Sequence, residues 1–262
     1  MNSGGITAKT TELVGGFGIS IKDDLGQLSK RMTNIERQQL PFALANALTQ
    51  TAKKLLNEEK REMRRSFDKP TRYIMNSIAY LPAKKTEDPM VARVFFRFFG
   101  GKGGEPNKFL TPQISGGKRR LKRHEIALQA KGILPRGKMT AVAKDAPLNS
   151  YGNLSAATYV RILSQTKSFA ENGYKANQTT RSRKRNNPRK SGTYYVAQKN
   201  GVPVGIRKRQ GGKSVKILNF ITPPTYKPRF DFYGKGQAFI NKTLPRQFKT
   251  SLRFALNTAK KR

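Results

Sequence analysis

Few residues in this 262-residue chain are of the types that make or break bonds, and their spacing argues against such chemistry. The single histidine, His124, stands between Arg123 and Glu125 with no second ligand or base clustered nearby. A surface structural role is therefore expected of it, rather than a general base or a metal site. Gly212-Lys213-Ser214 matches the end of a phosphate-binding loop, but Arg207 occupies the place of the first glycine and the motif fails. A metal-dependent nuclease needs carboxylates converging on Mg²⁺. Asp23, Asp24, Glu58, Glu59, Glu87, Asp88 and Asp231 are scattered or merely adjacent, which reads as solubilising charge. The absence of cysteine removes disulfides, thiolate metal sites and cysteine nucleophiles. No catalytic residue, cofactor or metal is assigned from these residues.

Cations are abundant instead. Lys and Arg number 53 against 15 Asp and Glu, a formal net charge of +38, far more than solubility requires. Nucleic acid is the first partner class this implies, because each neutralised phosphate releases counterions; an anionic membrane surface or an acidic protein comes second. The cations expected to make contact are Lys53 and Lys54, then Arg119, Arg120, Lys122 and Arg123, then Arg181, Arg183, Lys184, Arg185, Arg189 and Lys190. For the first pair, a solvated helix face is an equal alternative. Tyr194 and Tyr195 follow the basic run and have the chemistry to stack on bases, but alternating strand aromatics read better as core. No RNA-recognition, zinc-finger or basic-zipper pattern occurs, so sequence-specific reading is not expected.

The elements that must position these charges follow from periodicity. A glycine-rich opening to about residue 26 holds a short alternation, Phe17, Ile19 and Ile21, that suits a marginal strand. From Leu40, with Pro41 in the first turn, the residues Leu44, Leu48, Ala52, Leu55 and Met63 mark one helical face, stopped at Asp68-Lys69-Pro70. Residues 79–81 and 90–98 read as strands joined by a hairpin loop at 84–89, with Met90, Ala92, Val94, Phe96 and Phe98 on one face and Arg93 and Arg97 on the other. A basic helix is expected over 118–131, ended by Gly132 and Pro135, and a second helix is capped by Asn153 or Ser155. That second helix places Ala156, Tyr159, Val160 and Leu163 on one face. The run 181–190 has no apolar side chains to bury and reads as a flexible arm. Three strands follow at 193–197, 204–208 and 215–221 as an antiparallel meander, then an amphipathic C-terminal helical region divided at Pro245, with Thr243 capping its second part.

This order predicts an α+β fold, an antiparallel sheet packed by long N-terminal and C-terminal helices, with an inserted small helical segment and a basic flexible loop. The expected division is an N-terminal arm at 1–39, a core from 40–99 and 193–262, an inserted helical segment at 100–170 and the basic loop at 171–192. The first residues do not read as a secretory signal, and no apolar stretch approaches the roughly 20 residues that span a bilayer.

Two regions resemble the phage minor tail protein Z family of tail-completion proteins, and more loosely other neck and tail-completion proteins. One is the alanine-rich Ala43-Leu44-Ala45-Asn46-Ala47-Leu48 helix running on to Arg65. The other runs from Pro228-Arg229-Phe230 to Arg262. Leu121-Lys122-Arg123-His124-Glu125-Ile126-Ala127-Leu128 and Tyr151-Gly152-Asn153-Leu154-Ser155 resemble blocks of such structural proteins. The resemblance covers about half the chain. It implies a non-enzymatic virion component of a tailed phage, made in the host cytoplasm and placed in the tail or at the head-tail junction. Its implied partners are other tail, neck or portal-proximal proteins in a homo-oligomeric ring, with non-specific DNA contact. The alternative is a free, sequence-independent nucleic-acid-binding protein, ribosome-associated or DNA-compacting.

Overall fold

A computed structural model describes residues 7–13, 16–22, 33–97, 106–169, 177–185 and 192–259. In chain order the elements begin β1 (Thr7–Leu13), β2 (Gly16–Lys22), α1 (Asn34–Ser66), α2 (Arg72–Met75), β3 (Ile78–Leu81), β4 (Ala92–Phe96) and α3 (Asn107–Ile114). They continue α4 (Arg123–Ala130), β5 (Met139–Val142), α5 (Ala156–Gln165), α6 (Thr180–Arg185), β6 (Thr193–Lys199), β7 (Val202–Gln210), β8 (Lys213–Ile221) and α7 (Phe232–Ala259). The fold is α+β, with antiparallel sheets and long N-terminal and C-terminal helices. The chain forms two compact units, one from Met1–Gly116 with Lys227–Arg262 and the other from Gly117–Tyr226.

In the first unit, Leu40, Leu44, Leu48 and Leu55 fall at steps of four or seven along α1 and are all buried, with Ala43, Ala47 and Ala52 between them. This is the face that periodicity predicts. The helix starts at Asn34, however, so Pro41 stands inside it and not in its first turn. The added residues, among them Glu36, Arg37, Gln38 and Gln39, are good helix formers but polar, and polar residues leave no hydrophobic period to read. Helix α1 packs along α7, where Asn46 donates to Ser251 Oγ at 3.2 Å and Phe42 meets Phe254 with ring centroids 6.5 Å apart. Helix α7 is continuous through Pro245 instead of divided there. Pro245 is exposed, between the buried Leu244 and Phe248 of the packed stripe, so the backbone bond it lacks is lost at the solvent side. Its true N-terminal cap is Asp231, whose Oδ1 accepts from Gly234 N at 2.9 Å.

The sheet of this unit runs β1-β2-β4-β3, antiparallel throughout. Strand β2 is the alternation expected near the start, and residues 34–39, expected in an N-terminal arm, belong to α1. Gly16 lets it close on β4, since a Cβ there would lie 2.6 Å from both Phe95 Cβ and Val94 O. Ala92, Val94 and Phe96 point to the core and Arg93 is exposed, as the alternation requires. Phe96 packs on Phe232 and Phe230, with centroids 4.8 and 6.3 Å apart.

In the second unit the sheet order is β5-β8-β7-β6. Asn200-Gly201 and Gly211-Gly212 are two-residue hairpin turns whose residues all have positive φ, 50° and 76° in the first and 57° and 77° in the second. The expected grouping of this meander with the terminal helices is corrected here. Its inner side chains Tyr194, Val196, Ile206, Ile217 and Leu218 pack against Ala146, Leu154 and Ile162 of the preceding segment, so meander and insertion form one core. Ser155 is the cap of α5, accepting from Thr158 N at 3.1 Å. Ile162 and Leu163 form the buried side of that helix, while Val160, expected on it, is 54% exposed. Two bulges shift the meander's register, one between Ala197 and Gln198 on β6, where Val204 of β7 is the extra residue, and one at Ile217 on β8. The second turns both Ile217 and Leu218 inward while Lys216 and Asn219 stay outside.

Candidate nucleic-acid interface

Charge is distributed unevenly between the units. Gly117–Tyr226 holds 24 Lys and Arg against three acids, Glu125, Asp145 and Glu171, a net charge of +21. No carboxylate residue occurs between Glu171 and Asp231.

One of the three, Glu125, lies at the centre of a buried network. Arg119 grips it in a fork, Nη1 to Oε2 and Nη2 to Oε1 at 2.7 Å each. The Lys122 backbone N–H donates to Oε2 at 2.6 Å, and the backbone N–H and hydroxyl of Thr140 both donate to Oε1 at 2.8 Å. Desolvation by burial pushes the carboxyl up, but these donors outweigh it and hold the group down at about 2. The Glu125 side chain is fully buried and that of Arg119 is 13% exposed. Arg119 is therefore a structural cation, which corrects its assignment to a contact surface. Arg120, Lys122 and Arg123 remain exposed beside it.

His124, expected at the surface, is half-buried. Its Nε2 lies 2.9 Å from Thr140 Oγ1, and its ring packs on Tyr159 with centroids 4.3 Å apart. Burial pushes the imidazole down to about 4, so it is neutral at pH 7. Because the Thr140 hydroxyl gives its proton to Glu125, the hydroxyl oxygen accepts from His124 Nε2–H. The group ties α4 to β5 through Thr140 and to α5 through Tyr159.

Of the remaining predicted contacts, Lys53 and Lys54 are exposed on α1, and Lys53 Nζ stands 5.9 Å from the Tyr80 ring centroid. Further along α1 the cations are partly answered in place, Arg61 by Glu58 at 3.1 Å and Arg65 by Glu62 at 3.7 Å. The predicted flexible arm is helical over Thr180–Arg185, a correction for that stretch. Thr179 and Ser182 bond to each other at its start, with Thr179 N donating to Ser182 Oγ at 2.9 Å and Ser182 N to Thr179 Oγ1 at 3.1 Å. Arg181 and Lys184 are exposed there, Arg183 and Arg185 belong to the same helix, and Arg189 and Lys190 lie outside the described residues.

The two tyrosines separate. Tyr194 is core, 5% exposed, with Lys208 Nζ 6.0 Å from its ring centroid. Tyr195 is on the opposite, outer face, where its hydroxyl lies 2.7 Å from Ser214 Oγ and the Arg209 guanidinium is 5.3 Å from its ring centroid. The Ser214 bond, helped by Arg209 and Arg207, holds the phenol below its ordinary value. On this face Tyr195, Arg207 and Lys216 form one row across three strands, and Thr193, Arg209 and Ser214 form the next. None of these three cations was among the predicted contacts. A signal was present: with the Gly211-Gly212 turn at the centre, Arg209 falls opposite Ser214 and Arg207 opposite Lys216.

Of the carboxylates weighed for a nuclease, Asp23 and Asp24 lie outside the described residues. Glu62 bonds Lys235 and Ser66, Asp231 caps α7, and Glu87 pairs with Lys84 at 3.3 Å. Glu59 is 2% exposed with Oε2 unbonded among the described residues, and burial, with Glu62, Asp231 and Glu58 nearby, pushes it up to about 8. Among the described residues no group of three or more His, Asp or Glu side chains is placed to hold a metal. Gly212-Lys213-Ser214 belongs to a hairpin turn and the strand after it, not to a loop opening a helix. Among the described residues no helix is long and apolar enough to cross a membrane. Neither protein-family models, curated proteins nor solved structures give a match to this chain.

Proposed function

We propose that the chain is a structural virion protein of a tailed phage, acting in tail completion or at the head-tail junction and contacting packaged DNA without reading its sequence. In this reading it is not an enzyme, its neighbours are other tail, neck or portal-proximal subunits, and copies of it form a ring around the DNA path. The resemblance of the α1 and C-terminal segments to tail-completion proteins supports the setting. The observation that carries the DNA contact is the +21 charge of Gly117–Tyr226, a packed unit whose central carboxylate is already bonded to Arg119. Such a surface needs anions from outside the chain.

The test is the composition of purified particles. Quantitative mass spectrometry is expected to find the protein at a fixed low copy number, and labelled antibody to mark the portal end; absence from mature particles removes the reading. The same charge supports a second reading, a free nucleic-acid-binding protein. That reading expects steeply salt-dependent binding together with absence from particles.

A further inference from the structure

The geometry points to the outer face of the β6–β8 meander as a docking surface for the phosphate backbone of double-stranded DNA, held by Arg207, Arg209 and Lys216 around Tyr195. The inference rests on the DNA-contact part of the reading above and names a surface which that reading does not contain.

Position comes first. Arg207 and Lys216 are direct cross-strand neighbours on one face, and Arg209 lies two residues along from Arg207, about 7 Å away at the rise of a strand. Like charges opposite one another destabilise a sheet. Among the described residues no carboxylate lies within ion-pair distance of any of the three, and the chain has no acid from 172 to 230. Three unanswered cations on adjacent strands are a fixed array that a polyanion stabilises on arrival.

Chemistry selects the polyanion. Two of the three cations are arginines, whose planar forks take phosphate oxygens in pairs. The Tyr195 ring holds Arg209 by its face, which leaves the N–H edge of the guanidinium for an acceptor in its plane. The tyrosine itself is fixed by Ser214, so the group is organised before binding. An acidic protein would require an apolar anchor at the centre of the contact. The one aromatic here, Tyr195, has its hydroxyl on Ser214 and its ring face on Arg209, and the outer face continues through Ala197, Gly205 and Asn219, which supply no apolar anchor, whereas polar cationic faces are typical of DNA contacts.

The full chain is tested with a short duplex of arbitrary sequence, followed by fluorescence anisotropy across a salt series. A variant carrying Arg207→Gln, Arg209→Gln and Lys216→Gln is compared with one carrying Lys242→Gln, Arg246→Gln and Lys249→Gln on the exposed side of α7. The sheet variant is expected to bind more than tenfold more weakly and to flatten the slope of log K against log salt by about 2 to 3, near 0.9 for each phosphate no longer neutralised. The α7 variant is expected to change that slope by less than about 1. Superposition of the two variants overturns the proposal. A second measurement needs no variant: lysine acetylation of the wild-type protein is expected to show Lys216 protected by duplex and Lys242 not. Equal labelling of the two, or protection of Lys216 by a polyglutamate peptide but not by duplex, also overturns it. If the surface fails while the chain is present in particles, the virion reading stands alone. If DNA binds through this surface and particles lack the chain, the surface stands and the virion reading falls.

Discussion

Each of the two units buries a glutamate, and the two glutamates end in opposite states. Glu125 receives donors from Arg119, Lys122 and Thr140 and is held down at about 2, fully charged at pH 7. Glu59 on α1 has an unbonded oxygen and three acids around it, with Lys235 as its opposing charge, and is pushed up to about 8. Burial alone does not separate them, since both side chains are almost completely removed from solvent. Nor does the net charge of +38, which as a general field would favour ionising both. Donors within bonding distance and the signs of the immediate neighbours decide, because those interactions act at short range and low dielectric.

The comparison is broken most severely by Glu125→Gln. The substitution leaves Arg119 a buried cation without its anion and turns an amide donor toward one of the two backbone N–H groups, that of Lys122 or that of Thr140. A loss of about 3–5 kcal/mol is expected, as for a buried pair broken from one side. Amide exchange in β5 and α4, together with denaturant titration, reads it.

Next in size is the response to pH, which is expected to carry opposite signs in the two units. Glu59 has an unfolded value near 4.5 and a folded value of about 8. Between those limits the unfolded chain releases a proton that the folded one keeps, so the stability of the α1–α7 pair falls as pH rises, by about 3–5 kcal/mol in total. Glu125 runs the other way: its contribution is fully present above about 4.5 and lost as pH falls toward about 2, worth about 3 kcal/mol. His124 adds to that acid sensitivity between about 6.5 and about 4, where the unfolded ring takes a proton and the folded one does not. Amide exchange at several pH values, corrected for intrinsic rates, should show α1 and α7 loosening in base and β5 and α4 loosening in acid. Glu59→Gln should flatten the first response alone and make the variant the more stable protein at pH 9. The smallest expected effect is Ser155→Ala at the start of α5, about 1 kcal/mol for the lost cap, without change in either pH response.

Much of the scaffold was legible in the sequence because its signals are local and repeated. The buried face of α1, the alternation of β4 and the two hairpin turns all follow from period and turn chemistry. Proline misled at Pro41 and Pro245, where helix packing on one side and solvent on the other let the helix continue. The short α3 and β5 offered too few apolar residues to form a period. The Arg119–Glu125 fork was illegible for a different reason: five residues separate the pair, and the third partner, Thr140, comes from another element. Tyr195 shows the limit most clearly. Counting straight back from the Asn200-Gly201 turn puts it opposite Ile206, on the core side, and only the bulge at Ala197 moves it opposite Arg207.

The bulge at Ile217 has a consequence for how this strand tolerates change. Its carbonyl is taken by Ala143 N at 3.0 Å, so the additional residue is anchored and cannot slide. Upstream and downstream of it the inside-outside phase of β8 is set separately, like two reading frames joined at a fixed stop. Substitutions can therefore retune the cationic stretch ending at Lys216 and leave Leu218 and Phe220 in place. Deletion of Val215 would instead, with Ile217 held, bring Ser214 to the inward-facing position and turn the strand before it over, face for face.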